Sequence, residues 1–316
     1  MTTTTTTVRT PVLEVALEEH GPPDGEVVML LHGFPDDVRA YDGVVDDLAD
    51  DGARVLVPYL RGYGPTRFLD PWVRRTAQQS AIATDVLDLL DALDVDRAVL
   101  AGYDWGGRAA CIAAILSPER VTGLVTVTGY NVQDTLRLPP PAPVDQARAH
   151  WYQWYFATEP GHAGLTAHRR EIARALWREW SPTWRFTDAE FDTTAGSFDN
   201  DDFVDVVLHS YRHRWGHARG EPRFAATEAL LAQRPPITVP TVVLHGAEDT
   251  VAPPARSLGQ EGLFPRGTPR HVVAGAGHFL PRERPDALLA AVRSLRSAGP
   301  AHPGDGAGPV SRSPAG

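Results

Sequence analysis

A glycine-flanked aspartate has the strongest chemical context in this sequence. Gly102-Tyr103-Asp104-Trp105-Gly106-Gly107 follows the apolar run Ala98-Val99-Leu100-Ala101 and precedes the helix-like run Arg108–Leu116. Strand, tight turn and helix in that order lift the central side chain of a small-x-nucleophile-x-small motif clear of the backbone. Glycine on either side lets strand and helix approach closely. An aspartate held there can attack carbon and form an ester, which water can later cleave. A serine alkoxide opening the same electrophile would leave an ether, which water does not readily cleave. Asp104 alone could equally be a helix N-cap, a place aspartate favours. The rest of the constellation gives the motif its weight.

Cleaving an ester calls for a base, an acid to orient it and donors for the developing oxyanion. His278, in Ala274-Gly275-Ala276-Gly277-His278-Phe279, lies on a loop after an apolar run and before a C-terminal helical pattern. Nucleophile, acid and histidine come in that chain order in strand–elbow–helix enzymes. The acid then belongs on the loop Gly246-Ala247-Glu248-Asp249-Thr250, after the run Thr241–His245. We assign Asp249, with Glu248 its neighbour and Asp134, after the run Leu124–Thr128, a weaker alternative. Its role is to orient His278 and stabilise the protonated ring. The oxyanion donors expected are the backbone N–H groups of Phe34, in His32-Gly33-Phe34-Pro35, and of Trp105. Each such donor is worth roughly 3 kcal/mol to a transition state. His32 itself reads as a structural histidine bracing the loop.

The elements that must hold these residues alternate between strand and helix. Candidate strands are Val12–Leu17, Val27–His32, Arg54–Pro58, Ala98–Gly102, Leu124–Thr128, Thr241–His245 and His271–Ala274. From Val27 onward they are continuous β-branched and leucine runs, the pattern of strands buried on both faces of a parallel sheet. Ala81–Leu93 carries Ile82, Val86, Leu89, Leu90 and Leu93 on one helical face. The expected class is α/β, a mostly parallel, doubly wound sheet. The rhythm breaks after Asn131, where Pro139–Pro141 and Pro143 mark a linker. From His150 to about Pro236 the chain is aromatic-rich and helical in character. The expected division is a core at 8–131 and 237–296, a helical insertion at 132–236 lying over the strand C-terminal edge, and a disordered Gly/Pro/Ala/Ser tail at 297–316. The threonine run at the start also reads as low-complexity and disordered.

Bulk properties exclude several functions. The 316 residues carry a net charge of −10, which argues against nucleic-acid binding. All thirty basic residues are arginine. Cys111 is the only cysteine, so no intramolecular disulfide can form. Met1–Thr10 lacks the apolar core of a signal peptide, and Val27–Leu31 is far too short to span a bilayer. The expectation is a cytoplasmic protein with a small-molecule substrate, no membrane or nucleic-acid partner, and no cofactor or metal. His209, His213 and His217 recur every four residues, but no nearby carboxylate or cysteine completes a metal set, and Gly216 weakens the helix before the third.

His32-Gly33-Phe34-Pro35, Arg61-Gly62-Tyr63-Gly64 and the Asp104 elbow resemble epoxide hydrolases of the α/β-hydrolase fold and the related haloalkane and haloacetate dehalogenases. The resemblance runs from Val12 to Ser294 and includes the insertion, which it identifies as a cap. It implies two cap tyrosines that bind and protonate the epoxide oxygen. Tyr152, in His150-Trp151-Tyr152-Gln153-Trp154-Tyr155-Phe156, and Tyr211, in His209-Ser210-Tyr211-Arg212, fall at the matching places. Tyr155 competes with Tyr152, and both matched tyrosines could instead be packing aromatics. Haloacetate dehalogenases carry arginine directly after the nucleophile and again three residues later, clamping the substrate carboxylate; here those positions hold Trp105 and Arg108, so half the clamp is present. Their cap His-Trp pair has Gln153 and Trp154 as apparent equivalents.

The expected reaction is opening of an epoxide to a vicinal diol through an ester on Asp104, hydrolysed by water that His278 activates. Trp154, Arg108 and Gln153 are expected in the substrate pocket. The many cap tryptophans (Trp151, Trp154, Trp177, Trp180, Trp184, Trp215) point to an apolar pocket and an apolar epoxide or halide. Alternatives are a haloacetate or haloalkane dehalogenase with the same nucleophile, and a non-hydrolytic binding protein or cyclase that keeps the fold.

Overall fold

A computed structural model describes residues 4–138 and 140–297. Pro139 of the expected linker and nearly all of the expected tail lie outside them; Ser297 ends a helix. Among the described residues, nine strands form one sheet. They are β1 (Thr4–Arg9), β2 (Leu13–His20), β3 (Glu26–Leu31), β4 (Ala53–Pro58), β5 (Arg67–Phe68), β6 (Ala98–Gly102), β7 (Val121–Val127), β8 (Thr241–Gly246) and β9 (Arg270–Val273). The spatial order is β1-β2-β4-β3-β6-β7-β8-β9, with β5 paired to β2. Pairings from β4 to β9 are parallel, and those of β2 with β1, β4 and β5 are antiparallel. The central strands carry no exposed residue after Glu26, as their unbroken apolar runs require.

The start of the chain corrects one expectation. Thr4–Arg9 is not disordered: it pairs antiparallel with Glu14–Glu19 as the sheet's edge. Low complexity hid a run of β-branched residues, whose stiff side chains suit a pleated edge. The first core segment therefore begins before residue 8.

Strand order places the site. From β3 the chain moves to one side to form β4, then crosses back to form β6 on the other side. Ligands bind in open α/β sheets where successive connections diverge in this way, outside the strand C-termini. The loops that leave β3 and β6 there begin with His32 and Tyr103.

Between β7 and β8 the described residues hold helices and no strand. The longest, Glu159–Trp180, starts at Thr158, whose hydroxyl accepts from Gly161 N–H. It buries Leu165, Ala173, Leu176, Trp177 and Trp180 at helical spacing. Asp188–Ala195 opens on a capping box between Thr187 and Glu190.

A buried charge network ties this insertion to the core. Asp36 and Asp37 follow the Phe34 loop and are fully buried. The Arg282 guanidinium donates to Asp36 at 2.9 Å and to the Thr194 hydroxyl at 2.6 Å. Tyr103 O–H also donates to Asp36. Thr194 and Ser197 donate to Asp37 at 3.0 and 2.6 Å. Burial and the neighbouring Asp36 push Asp37 up to about 7, while Arg282 pulls the other way. Removing one partner of a buried ion pair leaves an uncompensated charge, so Arg282→Met should destabilise the fold by about 3–5 kcal/mol. Urea unfolding measures this; a loss under 1 kcal/mol would show the network contributes little.

Candidate active site

Asp104 stands at the turn from β6 into the helix Asp104–Leu116, with φ of +49°. An L-residue is strained there, and such strain persists only where the surroundings over-determine it. Two glycines show what does so. A Cβ on Gly106 would fall 2.0 Å from the Leu31 carbonyl oxygen, so only glycine lets the helix seat against β3. A Cβ on Gly33 would lie 2.4 Å from Asp104 Cβ, so glycine also brings the β3 loop against the aspartate. The result is a 2.9 Å hydrogen bond from Phe34 N–H to Asp104 Oδ1.

His278 faces Asp104 from the loop after β9. Its Nδ1–H donates to Asp249 Oδ2 at 2.8 Å. The other Asp249 oxygen accepts from Val251 and Ala252 N–H at 3.0 and 2.7 Å, which fixes the carboxylate. His278 Nε2 points to Asp104 Oδ2 at 3.7 Å, too far for a hydrogen bond, and is buried without another partner among the described residues. Burial disfavours the imidazolium, but Asp249 and Asp104 outweigh it and raise His278 to about 10. Burial likewise opposes charge on Asp104, and His278 and Arg108 overcome it, holding the carboxyl below its usual range. The resting pair is thus imidazolium and carboxylate.

The other acids are engaged elsewhere. Glu248 accepts from Gly275 and Ala276 N–H and so braces the histidine loop. Asp134 accepts from Leu136 and Arg137 N–H in its own turn. His32 accepts from Leu60 N–H at 3.0 Å through Nε2, and burial lowers it to about 4. It is a neutral brace for the loop that carries Phe34.

Tyr152 and Tyr211 meet at a centroid distance of 5.1 Å with rings nearly perpendicular. Both are buried, and Tyr211 packs on Phe34 and Trp105. Burial raises Tyr152 to about 12 and Tyr211 well above its usual value, so both keep their protons at neutral pH. Gln153 Nε2–H donates to the Tyr152 oxygen at 2.7 Å, and Gln153 Oε1 accepts from Trp215 Nε1–H at 2.9 Å. An indole can only donate, so the amide orientation is set and the Tyr152 hydroxyl proton is left for another acceptor. Tyr155 sits against Gly164 instead.

Asp104, His278, Tyr152, Gln153 and Arg108 line one narrow cavity of about 30 Å³. Trp154 does not. It is 38% exposed, packs on Trp215 at 4.3 Å and donates to the Ala147 carbonyl. Residues two apart on a helix face opposite sides, so turning Tyr152 inward turns Trp154 out. The expectation of an apolar pocket is corrected too. Of the cap tryptophans, only Trp180 lines the cavity. Trp177 and Trp184 pack together with Phe186 and Phe279. Composition overlooked Arg214 and Arg256, which share the cavity wall with Arg108, and also His150. In a chain whose bases are all arginine, no single one stands out by type; only its place after Tyr211 or on the loop after Asp249 could have marked it.

Across residues 26–285 the sequence matches the model of the alpha/beta hydrolase fold family. The chain belongs to the alpha/beta hydrolase fold family. This hydrolase is similar to Epoxide hydrolase B of Mycobacterium tuberculosis, 24% identical over 335 residues, covering 84% of this chain and 90% of that one. Epoxide hydrolase A of the same organism is 26% identical over 307 residues, covering 87% and 91%. A crystal structure from Klebsiella pneumoniae, provisionally named an epoxide hydrolase, superposes with a TM-score of 0.89 at 41% identity, over 93% of this chain and 97% of that one. Among the described residues of this hydrolase, no three His, Cys, Asp or Glu groups gather as a metal set, and no helix is long and apolar enough to cross a membrane.

Proposed function

We propose that this hydrolase opens epoxides to vicinal diols through an alkyl ester of Asp104. The observation that carries the reading is one cavity holding a fixed carboxylate and a protonated tyrosine, with the His278–Asp249 pair behind. The Mycobacterium relatives named epoxide hydrolases, similar over most of their length, support it. Asp104 Oδ2, free of hydrogen bonds, attacks the epoxide carbon. Tyr152 and Tyr211 bind the ring oxygen, and one gives it a proton. Water then attacks Asp104 Cγ with His278 as base, and charge collects on Oδ1 at the Phe34 and Trp105 N–H groups. Collapse releases the diol. The insertion at 132–236 acts as the cap that supplies both tyrosines, and a cytoplasmic location fits the single buried Cys111.

Tyr152→Phe and Tyr211→Phe should each lower kcat for styrene oxide by about 10- to 100-fold, the other hydroxyl remaining, and the double variant by about 10²- to 10⁴-fold. Quantifying diol checks this; unchanged kcat in the double variant would overturn the role of the tyrosines. A carbon–halogen substrate is the second reading, favoured by Arg108 one turn after the nucleophile. Halide release from haloacetates or haloalkanes without diol formation would establish it in place of the first.

A further inference from the structure

The cavity wall has a surplus of positive charge that epoxide opening does not use. Arg108, on the nucleophile's own helix, donates through Nε to the Asn131 carbonyl at 3.2 Å. Arg214, at the end of the cap helix Phe203–Arg214, and Arg256, on the loop after Asp249, face the same space. The Gln133 side-chain oxygen, oriented to satisfy its neighbours, accepts from Arg108 at 2.9 Å and Arg214 at 3.3 Å. Among the described residues, none of the three guanidinium groups has a carboxylate within 4.0 Å. Most other arginines in the protein do, including Arg61, Arg75 and Arg282.

Several N–H donors therefore line the cavity with few acceptors. Trp180 lines it as well, and its buried indole N–H has no partner among the described residues. The two carboxylates nearby first answer the imidazolium: Asp249 bonds to His278, and Asp104, which also feels the Arg108 charge, accepts from Phe34 N–H with His278 Nε2 3.7 Å from its other oxygen. Burial and the Arg108 charge lower Arg214 to about 10, a sign that the charges crowd one another. Gathering like charges in a buried cavity is costly unless an anion joins them.

We infer that the substrate carries a carboxylate, held by Arg108, Arg214 and Arg256 while its epoxide ring lies between Asp104 and Tyr152. The inference rests on the epoxide reading for its chemistry and narrows it to epoxy acids. Guanidinium suits this task because its planar fork pairs with both carboxylate oxygens. The three groups come from separate parts of the chain: the nucleophile helix, the cap and the acid loop.

The test compares oxirane-2-carboxylate with oxirane-2-carboxamide, near-isosteric and differing in charge. The amide withdraws electrons more strongly, so intrinsic reactivity does not favour the acid. Expected is a kcat/KM for the acid about tenfold or more above that for the amide at low salt. The ratio should fall in Arg256→Gln and at high ionic strength, where the pairing is screened. Equal handling of both compounds, or a ratio that Arg256→Gln leaves unchanged, overturns the inference while leaving the epoxide reading in place. If neither is opened, calorimetry with propanoate against propanamide decides. Selective propanoate binding keeps the anion site while the epoxy-acid assignment falls, whereas no selectivity rejects the site itself; the epoxide reading is decided by styrene oxide. Chloride released from chloroacetate, without diol from either epoxide, assigns the anion site to a haloacid.

Discussion

His278→Gln should stop the reaction halfway, leaving Asp104 as a stable ester of the opened epoxide. Attack needs only Asp104 Oδ2 and the tyrosine protons, and His278 Nε2 lies 3.7 Å from that oxygen without bonding to it. Hydrolysis needs a base for the water, and among the described residues that line the cavity His278 alone is paired to a buried carboxylate, Asp249. Glutamine offers an amide of similar reach that cannot take a proton. Steady-state turnover should fall by about 10³-fold or more, while a burst of one substrate per protein survives. Intact mass would show the protein plus one epoxide, and peptide mapping would place the increment on Asp104. The second step cleaves Cγ–Oδ2, so in normal enzyme a single turnover in ¹⁸O-water labels Asp104 and leaves the first diol unlabelled. Loss of turnover with no adduct from any substrate that the parent protein consumes would sink the assignment of both residues.

Asp104→Asn should abolish epoxide opening and, by removing one negative charge, lower the pKa of His278 from about 10. Asp249 and Asp104 together outweigh burial to hold the ring protonated. With one gone, burial regains ground and the ring titrates at lower pH, which ring ¹⁵N NMR reads directly. A pKa still near 10 would show that Asp249 alone sets it. The sign for stability follows. A histidine whose folded pKa is raised contributes stability fully present below its unfolded pKa of about 6.5 and lost as pH rises through the folded value. Stability of the parent protein should therefore fall between pH 7 and 10 more steeply than that of the variant. Alkylation neutralises the same charge during catalysis. In the proposed reaction, epoxide attack would leave an imidazolium no longer supported by Asp104, so the ring would become a base only once there is an ester to hydrolyse.

Much of this was legible in the sequence because it depends on local order along the chain. The elbow at Asp104 needs glycines at 102 and 106, and the buried strands need unbroken apolar runs; both are visible without coordinates. Asp249 could be placed because its loop follows β8 directly. What escaped was directional or assembled from afar. Trp154 and Tyr152 share one short helix, and only packing shows which turns inward. Arg214 and Arg256 meet Arg108 through the tertiary fold. The threonine edge strand was missed because repetition resembles disorder until a partner strand is present.

The helical insertion does more than line the cavity. The backbone carbonyl of Trp180, where the long cap helix ends, accepts from His278 N–H at 3.2 Å and from Thr250 N–H beside Asp249. The helix end and the base are thus joined by main-chain bonds that no side-chain substitution deletes. A shift of that helix end would pull on the backbone that seats the histidine, so the shape of the cavity wall at Trp180 and the basicity of His278 are geared together. For anyone reshaping this wall by directed evolution, substrate scope and pH profile are not independent dials.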